Sequence, residues 1–209
     1  MSKLNFRLYL ITDRHLCKGR QLTQVIDEAC TAGVKAVQLR EKDLSPLSQY
    51  QLAKNIKQVC QSTHTMLFIN DRADIAQAVE ADGVQLTSQS LPIEAVQKCF
   101  TQSKLIGVST HSLEEAQRAE KSGTDFMLFG PIFETPSKTA IGKPQGLAKL
   151  NQLTKFVNVP VFAVGGINSE RAKQCMDNGA AGVAVISSIM SSPNPKRIIK
   201  TYEHVLGSL

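Results

Sequence analysis

The sequence lacks the features that mark several large classes of protein. It has no tryptophan, aromatic residues make up only 5% of its 209 residues, and its basic residues are dispersed. Because single-stranded nucleic acid is bound by aromatic stacking and clustered positive charge, we expect no nucleic-acid partner. No apolar run approaches the roughly 18 residues that cross a bilayer, so we expect no membrane span. The N-terminus shows no apolar segment followed by small residues, which predicts a cytoplasmic protein.

Cysteine is present but shows no pairing pattern. The five cysteines are an odd number, they are widely spaced, and no CxxC motif or nearby histidine completes a metal-ligand set. We therefore expect reduced and mostly buried thiols. The net charge of +6 is modest, and with dispersed basic residues it favours small phosphorylated anions as partners.

Short apolar runs alternate with amphipathic segments along the whole chain. The predicted strands are 8–12, 36–40, 66–70, 83–86, 105–109, 126–130, 161–165 and 182–187. The predicted helices are 22–32, 46–61, 73–80, 92–100, 112–122, 145–155, 168–178 and 195–206. Apolar strands that alternate with helices indicate parallel strands covered on both faces. Eight such units without a linker predict an α/β fold, a single (β/α)8 TIM barrel over residues 1–209, with a doubly wound sheet as the alternative.

Polar residues follow the second and third predicted strands, where a barrel carries its active site. Alternation along the second strand points Gln38, Arg40 and Lys42 to one side, so an amide and two cations meet at the barrel mouth. The third strand ends at Asn70 and is followed by Asp71, which either holds a magnesium ion or caps the next helix.

His111 follows the fifth predicted strand and directly precedes a helix start. Ser112 and Glu115 have the spacing of a capping box, which begins the helix at this point. A helix N-terminus disfavours a cationic imidazole, and a neutral histidine is suited to acid–base catalysis near pH 7. A purely structural histidine is the alternative.

The last two predicted strands end in glycine and serine. Gly165 ends the seventh predicted strand and Gly166 follows it, and Ser187 ends the eighth, ahead of a predicted short helical turn. Glycines allow backbone N–H groups to approach a ligand closely, and this position is the common phosphate site of the fold. A long loop, 131–145, follows the sixth strand and carries Thr135, Ser137, Lys138 and Lys143.

These motifs together resemble the thiamine phosphate synthase and thiazole tautomerase superfamily, whose members are (β/α)8 barrels of thiamin biosynthesis. The similar segments are QLREK, IND, GVSTHSLEEA, FGPIFETPSK, AVGGI and GVAVIS, and they span nearly the whole chain. The resemblance implies that Gly165, Gly166, Ile186 and Ser187 bind the phosphate of a thiazole phosphate. It also implies that Thr135, Ser137 and Lys138 line the same substrate pocket, and that a homodimer is one possible assembly.

The two branches of this superfamily predict different reactions. In the synthase branch, a pyrimidine diphosphate lies against Arg40 and Lys42 with a magnesium ion, and the ring transfers to the thiazole nitrogen. That branch usually has a second aspartate where this chain has Ser90, a weak and neutral ligand for magnesium. The tautomerase branch needs no metal and moves a proton with a histidine at the position of His111.

Ser90, together with the VQL, HSLEEA, LFG and FET segments, which look closer to the tautomerase branch, favours that branch. The primary expectation is a thiazole tautomerase, an isomerase that aromatises a carboxythiazole phosphate tautomer with His111 as acid–base and without a cofactor. The alternative is a magnesium-dependent thiamine phosphate synthase, a transferase, in which Asp71 is the metal ligand. A third expectation is a catalytically silent barrel that binds thiazole phosphate or thiamine phosphate.

Overall fold

Eight parallel strands pair in chain order, and the last pairs with the first, so the sheet closes into a barrel. The computed structural model describes residues 4–135 and 143–207. The strands are β1 (Leu8–Ile11), β2 (Ala36–Leu39), β3 (Met66–Asn70), β4 (Gly83–Leu86), β5 (Leu105–Thr110), β6 (Phe126–Phe129), β7 (Val161–Val164) and β8 (Gly182–Val185). The predicted (β/α)8 TIM barrel is therefore confirmed.

Helices alternate with these strands and cover the barrel from outside. They are α1 (Leu22–Thr31), α2 (Pro46–Ser62), α3 (Ala73–Ala78), α4 (Ile93–Gln97), α5 (Leu113–Lys121), α6 (Gly146–Phe156), α7 (Ser169–Asp177), α8 (Ser187–Met190) and α9 (Pro195–Leu206). A short 3-10 helix, Arg14–Cys17, lies between β1 and α1. Within the described part of the chain, none of the helices combines the length and apolar character needed to cross a membrane.

Several predicted boundaries differ from the structure, and two of the differences have clear local reasons. The eighth strand ends at Val185, two residues earlier than predicted, because Ile186 leaves the extended conformation (φ −122°, ψ −83°) and Ser187 begins α8. Helix α3 is shorter than the predicted 73–80. The left-handed backbone of Glu80 (φ 53°) turns the chain toward β4.

Apolar side chains fill two layers, one between strands and helices and one inside the barrel. Outside the sheet, the buried faces of helices such as α1, with Val25, Ile26 and Ala29, pack against the strands. The cysteines follow this pattern, since all five are free and only Cys99 is exposed. Burial raises the pKa of the Cys175 thiol to about 12.

The lower half of the barrel interior is an aromatic layer. It comprises Phe6, Tyr9, Phe68, Phe126 and Phe162, whose ring centroids lie 5.0 to 6.4 Å apart, mostly in edge-to-face arrangements. This geometry is the favoured one for aromatic pairs.

Phe68 of β3, Phe126 of β6 and Phe162 of β7 each fit over a glycine of a neighbouring strand. Phe68 pairs in register with Gly83, and Phe162 pairs with Gly182. A Cβ atom on Gly83 would lie 2.7 Å from the Phe68 ring, and one on Gly182 would lie 2.6 Å from the Phe162 ring. The glycines therefore make room for rings that close the barrel below its mouth.

Candidate active site

A cavity of about 440 Å³ opens at the C-terminal ends of the strands, above the aromatic layer. Every strand contributes to it, either directly or through the residues that follow it. The lining residues are Ile11, Asp13, Gln38, Arg40, Lys42, Asn70, Thr87, Ser88, Gln89, Ser109, His111, Leu128, Val164 and Ile186. This is the position at which (β/α)8 barrels carry their chemistry.

The cavity brings together Gln38, Arg40 and Lys42 on one side of β2 and its continuation. Gln38 is buried, and its Nε2 donates a hydrogen bond of 3.4 Å to the Tyr9 hydroxyl. Neither Arg40 nor Lys42 has a carboxylate partner among residues 4–135 and 143–207. The mouth therefore offers two cations whose charge is not neutralised by the described protein groups.

Glu41, between these cations, points the other way and fixes the end of β2. It is 2% exposed and accepts hydrogen bonds from the Thr12 hydroxyl (2.7 Å) and from the Arg14 backbone N–H (3.1 Å). The Arg14 guanidinium also donates to Glu41 at 3.1 Å. Thr12 in turn accepts the backbone N–H of Arg40 at 2.9 Å. This network holds the backbone from which Arg40 and Lys42 extend.

His111 lies at the mouth, half-buried, just before α5. Its Nδ1 lies 2.5 Å from the carbonyl oxygen of Gly130, and because a carbonyl can only accept, Nδ1 carries the proton. In the neutral ring this leaves Nε2 as an acceptor. The predicted capping box is present in a modified form, since Ser112 accepts the N–H of Glu115 while Glu115 accepts the N–H of His111.

Asp71 is exposed at the end of β3 and does not line the cavity. Its backbone is left-handed (φ 66°), and its N–H donates to the carbonyl of Gln85 at 2.9 Å. The alternative prediction that Asp71 caps the next helix is wrong, because α3 begins after Arg72 without a side-chain cap. The left-handed backbone and the bond to Gln85 place Asp71 one residue too early to cap that helix.

Ser90 also lies outside the cavity lining and has a local role. Its hydroxyl accepts the backbone N–H of Thr87 at 2.8 Å and lies 3.2 Å from the Thr87 hydroxyl. These bonds close the turn after β4 and present Thr87, Ser88 and Gln89 to the cavity.

Magnesium is the metal that the sequence resemblance implies, and the donor groups at the mouth fit it in one mode. The described residues contain no cluster of three or more histidine, cysteine or carboxylate side chains that could hold a metal ion. Magnesium is commonly bound by one or two carboxylates together with substrate phosphates and water. Asp13 lines the cavity and supplies one such carboxylate, and the exposed Asp71 follows β3 at the same end of the barrel.

The glycines after β7 lie beside the main cavity rather than in its lining. Gly165 and Gly166 have positive φ angles of 100° and 65°. A Cβ on Gly165 would lie 2.6 Å from Pro131, and one on Gly166 would lie 2.5 Å from the carbonyl oxygen of Glu134. Only glycine therefore allows the end of β7 to pack against the loop that follows β6.

The remaining expected site residues are distributed around this junction. Ile186 lines the cavity, and Ser187 is exposed at the start of α8, the predicted short helical turn. Thr135 is half-buried at the described end of the loop, whereas Ser137 and Lys138 lie outside the described residues.

Several cavity residues were not among the predicted site residues, and Asp13 and Ser109 are two polar examples. Asp13 lies two residues after the end of β1, and Ser109 lies two residues after Gly107 on β5. The position of Asp13 after a strand end was a usable signal. Ser109 could have been found by extending strand parity along β5, because it lies two residues after Gly107 on the same face.

The fold and the cavity define a (β/α)8 barrel with a cationic, amide-rich mouth suited to a phosphorylated ring compound. Residues 8–189 match the family model described as thiamine monophosphate synthase. The chain belongs to that family.

Known proteins similar to this chain carry consistent names. A putative thiamine-phosphate synthase from Geobacter sulfurreducens is 44% identical, over 94% of this chain and 92% of its own. A thiamine-phosphate synthase from Clostridium novyi is 39% identical, over 97% and 99%. The solved structure of a thiamine phosphate pyrophosphorylase from Pyrococcus furiosus has a TM-score of 0.88 and 34% identity, over 96% and 95%.

These comparisons overturn the primary expectation from the sequence. The family model and the named relatives are thiamine phosphate synthases, and none of these findings supports a thiazole tautomerase. The assignment to the tautomerase branch and its isomerase chemistry is therefore wrong. The proton-transfer role expected of His111 belonged to the tautomerase reaction and is no longer supported.

Proposed function

We propose that this protein is a thiamine-phosphate synthase, a transferase that joins hydroxymethylpyrimidine diphosphate to thiazole phosphate. The family match over residues 8–189 and relatives of 38–44% identity support this enzyme class, which was the second expectation from the sequence. In the reaction, the bond between the pyrimidine methylene carbon and the diphosphate oxygen breaks. The thiazole nitrogen supplies its lone pair to that carbon, and diphosphate leaves.

The observation that carries this proposal is the pair of cations, Arg40 and Lys42, without carboxylate partners in the described ranges. Negative charge accumulates on diphosphate as its bond to carbon breaks, and pre-placed cations stabilise that charge. The network around Glu41 holds them in place, so little reorganisation is needed during the reaction.

The amides at the same mouth provide the contacts to the rings. In this proposal Gln38 and Asn70 bind the pyrimidine, because an amide offers both donors and acceptors to a heteroaromatic edge. His111 contacts substrate without transferring a proton, since bond formation at an unprotonated ring nitrogen releases none.

The thiazole phosphate is proposed to bind on the opposite side of the mouth. Its phosphate would lie near Gly165, Gly166, Ile186 and Ser187, where positive φ angles expose backbone groups beside the start of α8. Thr135, Ser137 and Lys138 complete this pocket by the resemblance of their loop to the family.

Magnesium, when bound, would neutralise diphosphate charge and favour its departure. Asp71 is the proposed carboxylate ligand, as the family resemblance implies, and Asp13 in the cavity lining is a second candidate ligand.

Product analysis of the purified protein tests this function. Hydroxymethylpyrimidine diphosphate, thiazole phosphate and magnesium should yield thiamine phosphate and diphosphate in a ratio of one to one. Omission of either substrate, or addition of a chelator, should abolish both products. Binding of substrates without product, under conditions in which an active synthase turns over, would instead support the silent-barrel alternative. A homodimer, a cytoplasmic location and the lack of a nucleic-acid partner stay predictions.

A further inference from the structure

A buried glutamine that the proposed reaction has not used lies beneath the cavity. Gln85 on β4 is 1% exposed, and its Nε2 donates a hydrogen bond of 3.2 Å to the hydroxyl of Ser109 on β5. Its Oε1 is the buried side-chain polar atom that lacks a hydrogen-bond partner in the described residues. An unpaired buried acceptor is costly and calls for an explanation.

The surroundings of Gln85 fix which end of the amide faces Ser109. The atom assigned as Oε1 points at Gly107, where a Cβ would lie only 2.4 Å from it and 2.4 Å from the Phe126 ring. The face of a glycine that carries only C–H groups is a weak donor and suits an oxygen, whereas an NH₂ group there would bring hydrogen against hydrogen. The NH₂ group therefore faces Ser109.

This orientation determines what the Ser109 hydroxyl can do. Because its oxygen accepts the hydrogen bond from Gln85, its own hydrogen is available for a different acceptor. No other hydrogen-bond partner of this hydroxyl occurs among residues 4–135 and 143–207. Ser109 is half-buried and lines the cavity, so the available direction is toward a ligand.

We propose that Gln85 is a positioning residue that holds the Ser109 hydroxyl as a hydrogen-bond donor to an acceptor nitrogen of the substrate's pyrimidine ring. The identity of the ring rests on the proposed function. Asn70 pairs in register with Gln85 on the neighbouring strand and lines the same cavity. Ser109 and Asn70 therefore face the ring from adjacent parts of the wall, with Gln85 behind them.

A double-mutant cycle measured by calorimetry tests this assignment. The probe is hydroxymethylpyrimidine diphosphate with magnesium and without thiazole phosphate, so that no turnover occurs. Gln85→Leu and Ser109→Ala should each weaken binding by about threefold to tenfold, the effect of one hydrogen bond. The double variant should bind about as well as the weaker single variant, because the two groups act through one contact. Binding of thiazole phosphate should not change.

Two further variants make the test specific. Gln77→Leu is the matched control, since Gln77 donates to the Thr101 hydroxyl at 2.8 Å on the outside of the barrel, and it should leave both affinities unchanged. Gln85→Met keeps the length of the side chain but offers no donor, so the Ser109 hydroxyl loses the hydrogen bond that orients it. It should weaken pyrimidine binding about as much as Gln85→Leu, and thermal unfolding of each variant verifies folding.

The inference would be overturned if Gln85→Leu bound the pyrimidine diphosphate as tightly as the wild type. It would also be overturned if the losses of the two single variants multiplied in the double variant, or if thiazole phosphate binding weakened equally. These results differ from failure of the proposed function, which would appear as absence of thiamine phosphate from the wild-type protein. A wild-type protein that does not bind the pyrimidine diphosphate would contradict both.

Discussion

The lower and upper halves of the barrel interior are made by the same strands but differ in chemistry. Phe68 and Asn70 lie two residues apart on β3, the first in the aromatic layer and the second in the cavity wall. On β5, Gly107 makes room for the Phe126 ring, and Ser109 two residues later faces the cavity. One step of strand alternation therefore separates residues that hold the barrel from residues that meet a ligand.

The two layers also differ in whether their side chains have packing, hydrogen-bond or charge partners within the protein. The aromatic rings contact one another and fit over glycines, so the lower layer contributes packing and burial. Within residues 4–135 and 143–207, the upper layer contains a buried acceptor without a hydrogen-bond partner, at Gln85, and two cations without carboxylate partners. Stability is concentrated below and binding capacity above, and variants in the two layers should affect different measurements.

The largest expected effect is loss of stability from the lower layer. Phe68→Ala should reduce the free energy of unfolding by about 3–5 kcal/mol, because it removes a fully buried ring and leaves a cavity. Urea unfolding followed by circular dichroism measures this, and Phe68→Leu, which keeps most of the volume, should lose less. A Phe68→Ala protein as stable as wild type would remove the structural role assigned to this layer.

The next effect is loss of activity from the upper layer without loss of stability. Arg40→Met should reduce kcat/KM for thiamine phosphate formation by about 100- to 1,000-fold, as expected for a group that stabilises developing charge. The midpoint of thermal unfolding should stay close to that of wild type, because the Arg40 side chain has no carboxylate partner within the described ranges. Lys54→Met, on the exposed face of α2, is the control and should retain activity. Equal activity in Arg40→Met and Lys54→Met would contradict the assignment of ligand binding to the upper layer.

A smaller gain is expected at the rim, from Ser90→Asp. A carboxylate beside Thr87 adds negative charge at the position where the synthase branch has its second aspartate, and affinity for divalent cations rises with ligand charge. The magnesium concentration for half-maximal activity should fall, on the order of tenfold. Titration of magnesium in the activity assay measures this, with Ser90→Asn as the uncharged control. No difference between the two variants would place the metal away from this loop.

The smallest effect concerns Tyr9, at the boundary between the layers. Burial raises the pKa of its phenol well above the usual value, so the folded protein keeps Tyr9 neutral at a pH at which the unfolded chain ionises it. The contribution of Tyr9 to the free energy of unfolding is therefore fully present below about pH 10. It is lost as the pH rises further, by about 1.4 kcal/mol per pH unit. Tyr9→Phe should have nearly wild-type stability at pH 8 and a shallower loss between pH 10 and 11. Parallel stability curves in urea would contradict this.

Much of the fold could be predicted from the sequence, because apolar runs and strand parity are local signals. Parity placed Gln38, Arg40 and Lys42 on one side, and the structure brings all three to one cavity. The contact between Gln85 and Ser109 depends on the stagger of β4 against β5, which no local pattern encodes.

The error over the reaction had a different origin. Ser90 suggested a lost metal ligand, and this position, with a few short segments, was given more weight than the similarity of the whole chain. In the structure its hydroxyl closes the turn after β4, a role that says nothing about which reaction the barrel catalyses. The prediction that Asp71 caps the next helix was wrong because Arg72, one residue later, occupies the cap position of α3. The left-handed backbone of Asp71 is not encoded in a local sequence pattern.

The central claim is that the upper layer binds an anionic pyrimidine through Arg40 and its neighbours. Calorimetric titration of hydroxymethylpyrimidine diphosphate with magnesium into wild type, Arg40→Met and Lys54→Met tests it most directly. We predict one site per chain, weakened about tenfold or more in Arg40→Met by loss of a charge-assisted contact and unchanged in Lys54→Met. Absence of binding to the wild type, or equal affinity in all three proteins, would contradict the claim.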